Sequence, residues 1–223
     1  MAHRQSLPVF LALMAISCLL FCGCQSAYYK TMRTLGKEKR DILVQRVKDS
    51  KKDQEQAKEK LKTTMESFQE LTGFQGGSLE KSYKKLNGEY EGAQAQADKL
   101  HDRIKSIDQV SNDLFNEWQK EIDQMGNAKL KSQSSALLRD AKERQGAYMK
   151  AMRKTEDQMT PVLGSFRDQV LFLKHNLNAR AIGSLKGTST KINTDVTNLM
   201  KSIDSSMQEA DNLISALSPS DAS

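Results

Sequence analysis

Cysteine is nearly missing from this chain: there are three among 223 residues, at positions 18, 22 and 24. No thiol follows Cys24. The rest of the chain therefore has no disulfide, no thiolate nucleophile and no cysteine-held metal. Proline occurs three times, tryptophan once, and aromatics make up 6% of the residues. Histidine is equally scarce, at His3, His101 and His175. His175 has no second histidine or carboxylate at a metal-ligand spacing, and His101, beside an apolar stripe, is expected to be solvated. There is no phosphate loop, dinucleotide fingerprint, serine elbow or zinc-binding helix motif. The Gly73–Gly77 cluster is too short for a phosphate loop and lacks its lysine. No catalytic residue, metal ligand or cofactor is assigned, and an enzyme is not expected.

The one long apolar run lies at the N-terminus. A short polar start with His3 and Arg4 leads into Leu7–Phe21, and the small residue Gly23 precedes Cys24. This reads as a lipoprotein signal peptide over residues 1–23, removed on export. Cys24 then carries the acyl chains. Cys18 follows Ala15, a poor match for the bulky residue three positions before such a cut. A transmembrane anchor is the rival, but the run holds about 15 residues against the ~20 that cross a bilayer. Multiple acyl chains hold a protein on a membrane where one does not. Gln25 occupies the place where an Asp would signal retention at the inner membrane. The expected location is the outer membrane of a Gram-negative envelope, facing the periplasm. Residues 24–36 form the lipidated tether, where Tyr28 and Tyr29 suit either the membrane interface or a first helical turn.

Basic residues number 34 and acidic residues 28, and the signal removes one of the former. The surplus is small and intermixed, which reads as solubility. Export removes nucleic acid as a partner. Lipid headgroups and anionic polymers of the envelope remain.

Composition and helical spacing point to an all-α chain over residues 37–217, an elongated antiparallel bundle or coiled coil of four to five helices. The first helix is expected from about Lys37 to Leu71, with Ile42, Val44, Val47, Leu61, Met65, Phe68 and Leu71 inward. Its polar middle, Lys48–Lys60, is expected to be solvated and weakly packed. Gly73–Ser78 is a break, with Ser78 as the next N-cap. Leu79, Tyr83, Leu86, Tyr90, Ala93, Ala97, Leu100, Ile104 and Ile107 then alternate steps of four and three. Leu114, Trp118 and Met125 continue that register, with Ser111 and Glu121 as interruptions. A seam sustained over so many heptads serves partner contact or self-association as well as intramolecular packing. Gly126-Asn127 ends it. A third helix to about Met159 is read with Leu130, Leu137, Leu138, Ala141, Tyr148, Met152 and Met159 inward. Pro161 either opens a new helix capped by Thr160 or kinks a continuous one. Gly183–Gly187 is expected to break the chain again, before a last helix over about Thr188–Leu217. Residues 218–223 form a frayed tail.

The segment from Phe166 to Gly187 has the most unusual content. A wide apolar stretch, Val170–Leu173, passes into the donors Lys174, His175, Asn178 and Arg180, with Lys186 beyond. On a continuous helix Lys174 would share a face with Asn178, and Asn176 with Arg180. One reading is a site for an anionic envelope polymer or lipid headgroup. The other, favoured by the width of the apolar stretch, is a buried helix whose polar residues satisfy turn carbonyls.

Four stretches carry a resemblance: Cys-Gln-Ser-Ala-Tyr-Tyr at 24–29, Lys-Arg-Asp-Ile-Leu-Val at 39–44, Leu-Phe-Asn-Glu-Trp at 114–118, and the run at 161–187. Together they resemble an uncharacterised family of bacterial envelope lipoproteins, the domain of unknown function number twenty-nine fifty-nine. The resemblance spans nearly all of the chain after the signal. It implies a helical, coiled-coil-rich protein, and it supplies no catalytic residue, cofactor or substrate. The expected function is a non-enzymatic helical scaffold, spacer or adaptor in the envelope.

Overall fold

The computed structural model describes residues 38–218. The signal peptide, Cys24, the tether and the tail beyond Ser218 lie outside the described residues. The chain divides into two compact units, Met1–Ile42 and Leu43–Ser223. Of the first, only residues 38–42, which include the opening of the first helix, are described. The described residues hold four helices and no strand: α1 (Lys39–Thr72), α2 (Leu79–Gln124), α3 (Ala128–His175) and α4 (Ala179–Leu217). None of the four is long and apolar enough to cross a membrane.

Each turn is built from a stop and a cap. Gly76 and Gly77 end the first turn with φ of 155° and 111°, backbone that favours glycine. The Ser78 hydroxyl then accepts from the Lys81 N–H, capping α2. Asn127 caps α3 through the Leu130 N–H at 3.1 Å, and Asn178 caps α4 through the Ala181 N–H at 3.0 Å.

One open alternative is decided at Pro161, and one expected break, at Gly183–Gly187, does not occur. Pro161 lies inside α3, so the continuous helix replaces the two-helix alternative. Thr160 is no cap; its hydroxyl donates to the Glu156 carbonyl at 3.3 Å. Met159, Val162, Leu163 and Phe166 are buried on both sides of the proline. Their burial carries the helix through a residue that costs about 3 kcal/mol in a helix interior. Gly183 and Gly187 likewise lie inside α4, and the break sits at Asn176–Asn178 instead. Asn178 supplies the cap, and Ala181, Ile182, Leu185 and Ile192 supply a buried stripe at helical spacing. A Cβ added at either glycine would meet open space. Their permissive backbone is thus not used for a turn.

Neighbouring helices pair in opposite senses within the second unit. Asp53 meets Arg103 at 2.7 Å and Glu70 meets Lys85 at 2.7 Å, joining α1 to α2. Lys51 meets Asp211 at 2.7 Å and Lys58 meets Asp204 at 2.6 Å, joining α1 to α4. His101 pairs with Glu156 at 2.6 Å, and Trp118 Nε1 donates to Ser134 Oγ at 2.8 Å, joining α2 to α3. In each row the residue number rises on one helix as it falls on the other, which makes the neighbours antiparallel. Phe68 and Phe166, both fully buried, touch edge to face across the middle with centroids 6.1 Å apart. The ion pairs, most of them exposed, contribute about 0–1 kcal/mol each, so burial sets the stability and the pairs are consistent with its register.

The seam of α2 drifts. Leu86, Ala93, Leu100, Ile104 and Ile107 are buried as the heptad reading requires. Beyond them Val110, Phe115 and Ile122 are buried, while Trp118 and Met125 are only half-buried. A straight helix falls behind a 3.5-residue repeat by about 20° per heptad, so the buried stripe moves to the next residue along. Ser111 belongs to the seam with no exposure, rather than interrupting it. On α3, Leu138 and Ala141 point inward, whereas Leu130 and Leu137 are 56% and 60% exposed. On α1, Leu43 is fully buried and Val44 only half so.

Leu86→Ala should cost about 2–5 kcal/mol in chemical denaturation, as deletion of a fully buried leucine does. Gly183→Ala and Gly187→Ala should each raise stability by roughly 0.5–1 kcal/mol, since alanine in an exposed helix interior is favoured over glycine. A loss of stability at either glycine would restore a turn there.

Candidate functional site

The basic turn between α3 and α4 is the first candidate. Lys174, His175, Arg180 and Lys186 are all exposed. The two asparagines have structural tasks. The Asn176 N–H reaches the Leu173 carbonyl at 3.2 Å and its side-chain amide donates to the Phe172 carbonyl at 2.9 Å. Asn178 caps α4 with its side-chain oxygen. The faces expected for Lys174 with Asn178, and for Asn176 with Arg180, do not form, because the helix stops between them. Lys174 and His175 sit in the last turn of α3, where the helix dipole favours cations. Arg180 sits in the first turn of α4, where the dipole opposes one and no acidic residue compensates. From Gln169 to Thr194 the sequence has no acid, and it carries Lys174, Arg180, Lys186 and Lys191. The wide apolar stretch also divides. Val170 and Leu173 are buried, but Leu171 is 53% and Phe172 41% exposed. The segment is therefore not the wholly buried helix that its apolar width suggested.

A cleft of about 270 Å³ between α2 and α3 is the second candidate. Tyr90, Gln94, Asp98 and His101 line it from α2; Glu156, Thr160 and Arg167 line it from α3. Ala97 and Gly164, small residues on facing helices, leave the space. His101 is not merely solvated: its Nδ1 lies 2.6 Å from Glu156 Oε1. This orients the imidazole as a carboxylate orients a catalytic histidine. The only hydroxyl of a serine or threonine in the lining, that of Thr160, is already engaged with the backbone. The cleft can hold a small polar molecule, and it offers no activated nucleophile. Among the described residues no three of His, Cys, Asp and Glu are placed to hold a metal ion.

A buried polar layer is the feature sequence reasoning missed. The stretch read as solvated, Lys48–Lys60, contributes Ser50, Gln54 and Ala57 to the interior, with at most 3% exposure. Its serine and glutamine recur at helical spacing with Ala57, Leu61 and Thr64, and that spacing was the available signal. Gln54 Nε2 donates to the Tyr148 hydroxyl and to Ser50 Oγ, each at 3.4 Å. Ser50 Oγ lies 4.0 Å from Met152 Sδ. Tyr148 has no exposure, and burial pushes its phenol up to about 12 against the pull of Ser50 and Gln54. Nearby, the Thr63 hydroxyl and then Lys60 hold the Glu89 carboxyl below the usual carboxylate range.

A family model described as Protein of unknown function (DUF2959) matches residues 28–217, and the chain belongs to that family. No curated protein matches it significantly. The match spans the basic turn, the cleft and the buried polar layer alike.

The buried phenol makes a prediction for alkaline pH. An unfolded tyrosine titrates near pH 10, whereas Tyr148 in the folded chain titrates at about 12. The folded state thus keeps a proton that the unfolded state loses. Stability from this group is full below pH 10 and is lost as pH rises to 12, by ~3 kcal/mol. Urea denaturation between pH 9 and pH 12 should show a steeper loss for the unaltered chain than for Tyr148→Phe. Parallel curves would mean that the phenol ionises freely.

Proposed function

We propose that the chain is exported, acylated at Cys24, and acts as a non-enzymatic helical spacer or scaffold facing the periplasm from the outer membrane. The observation that carries this reading is the length of α2 and α3: 46 and 48 residues without interruption, about 70 Å each. A spacer needs reach and stiffness more than a site, and long paired helices supply both. In this reading the packing is of the coiled-coil type and the bundle is elongated. The seam of α2 is consumed within the chain, so partner contact falls to exposed apolar residues such as Leu130 and Leu137. The N-terminal apolar run and Cys24 support the membrane assignment, and Gln25 supports the outer membrane over the inner.

A second reading has its own observation. The acid-free segment around the α3–α4 turn exposes Lys174, His175, Arg180 and Lys186, which suits a binding module for an anionic partner.

Palmitate labelling with membrane fractionation tests the first reading. The unaltered chain should take up label and sediment with the outer membrane, and Cys24→Ser should remain unlabelled and unprocessed. Label retained by Cys24→Ser would overturn the assignment of the acylated residue. The spacer role has a separate check, in which the chain from Gln25 onward should sediment as a highly helical, asymmetric particle. A compact globule of low helicity would remove that role.

A further inference from the structure

The basic turn lies at one particular end of the bundle. The Phe68–Phe166 contact sets α1 and α3 level with each other. Thr72, where α1 ends, lies four residues beyond Phe68, and Leu171 lies five beyond Phe166. Leu171 and Phe172 therefore stand where α1 gives way to the Gly73–Ser78 loop, and the α3–α4 turn lies just beyond. The chain enters its second unit at Leu43, which lies short of the α2–α3 turn at the other end, since Arg46 is level with Ser106 and α2 runs on to Gln124. At 1.5 Å per residue, the run from Leu43 to Thr72 separates that entry point from the α3–α4 turn's end by about 44 Å.

This end combines two features. Leu171 and Phe172 are consecutive, large, apolar and outward-facing on the last full turns of α3. Lys174, His175, Arg180 and Lys186 follow them in an acid-free segment. The side chains of Lys174, Arg180 and Lys186 make no ion pair or hydrogen bond among the described residues, so their charge is available to an outside partner. Arg180 stands against the dipole of its own helix, a placement that folding does not reward. An acidic polymer would use the cations and leave the apolar pair in water. A folded acidic protein would need a groove to cover the pair, whereas these residues project from the end of a helix hairpin. A bilayer surface satisfies both features, since its phosphates take the cations and its interface takes Leu and Phe a few ångströms deep.

We propose that this end of the bundle docks on an anionic lipid bilayer, with Leu171 and Phe172 inserted and Lys174, Arg180 and Lys186 on headgroup phosphates. The contact uses residues other than Cys24 and lies about 44 Å along α1 from the place where the chain enters its second unit. It rests on the second reading above for its charge and adds the apolar half and the lipid.

The test uses the chain from Gln25 onward, which lacks the N-terminal apolar run and keeps the whole core. Vesicles of phosphatidylglycerol and phosphatidylethanolamine should sediment it, and phosphatidylcholine vesicles should not. Leu171→Ser/Phe172→Ser and Lys174→Glu/Arg180→Glu/Lys186→Glu should each weaken vesicle binding by about tenfold or more, with circular dichroism unchanged. Phe172→Trp in a Trp118→Phe chain should shift its emission to the blue on anionic vesicles and be quenched by lipids brominated near the headgroup. Soluble polyglutamate is the comparison ligand. If the serine pair leaves vesicle binding intact, or if polyglutamate binds as tightly as vesicles, the lipid inference falls and the anionic-partner reading stands. If neither ligand binds, both fall.

Discussion

The structure depends on the burial of one narrow apolar stripe on each of four long helices. With so few aromatic residues, no single layer can hold the bundle together. The stripes have to stay in register from the level of Leu43 and Leu138 to that of Leu71 and Leu173. The edge-to-face contact of Phe68 and Phe166 locks the two parallel helices α1 and α3 at one level. The ion pairs of α1 with α2 and α4 fit only that level. A slip of one residue would turn these faces by about 100° and expose the stripes together.

That demand for continuity explains how Pro161, Gly183 and Gly187 are tolerated inside helices. Each costs local stability, and each is flanked by buried residues on both sides. The same demand draws polar residues inward. Ser50, Gln54, Ser67, Ser111, Thr155 and Ser206 fall on the stripes and are almost without exposure. Gln54 Oε1, Ser67 Oγ, Ser111 Oγ and Ser206 Oγ have no hydrogen-bond partner among the described residues. A core that accepts such costs gains small side chains that let the helices approach. It also gains a layer in which Gln54 donates to the Tyr148 hydroxyl and to Ser50 Oγ.

The functional readings follow from the same geometry. Antiparallel helices joined by short turns put both the Gly73–Ser78 loop and the α3–α4 turn at one end, and the α2–α3 turn at the other. The cations around the turn are thereby displayed together, next to Leu171 and Phe172. The cleft beside His101 and Glu156 arises differently, from two small residues facing each other across α2 and α3. Membership in a family of unknown function assigns a role to neither place.

Periodicity and composition determined the all-helical fold, the break at Gly73–Ser78, the cap at Ser78 and most of the buried stripe. These are local matters, settled by spacing, turn backbone and capping. The basic cluster was legible for the same reason, as a run of side-chain types. Only the tertiary structure decided which glycines turn the chain. Gly76 and Gly77 adopt positive φ, whereas Gly183 and Gly187 ride inside a helix held by buried neighbours. It also decided that Leu137 faces out while Leu138 faces in, because the drift of a straight helix against a heptad accumulates beyond what spacing can resolve. Ser50 and Gln54 read as solvent-facing from their chemistry. Their burial was fixed by the three other helices that close over that level, which no local window contains.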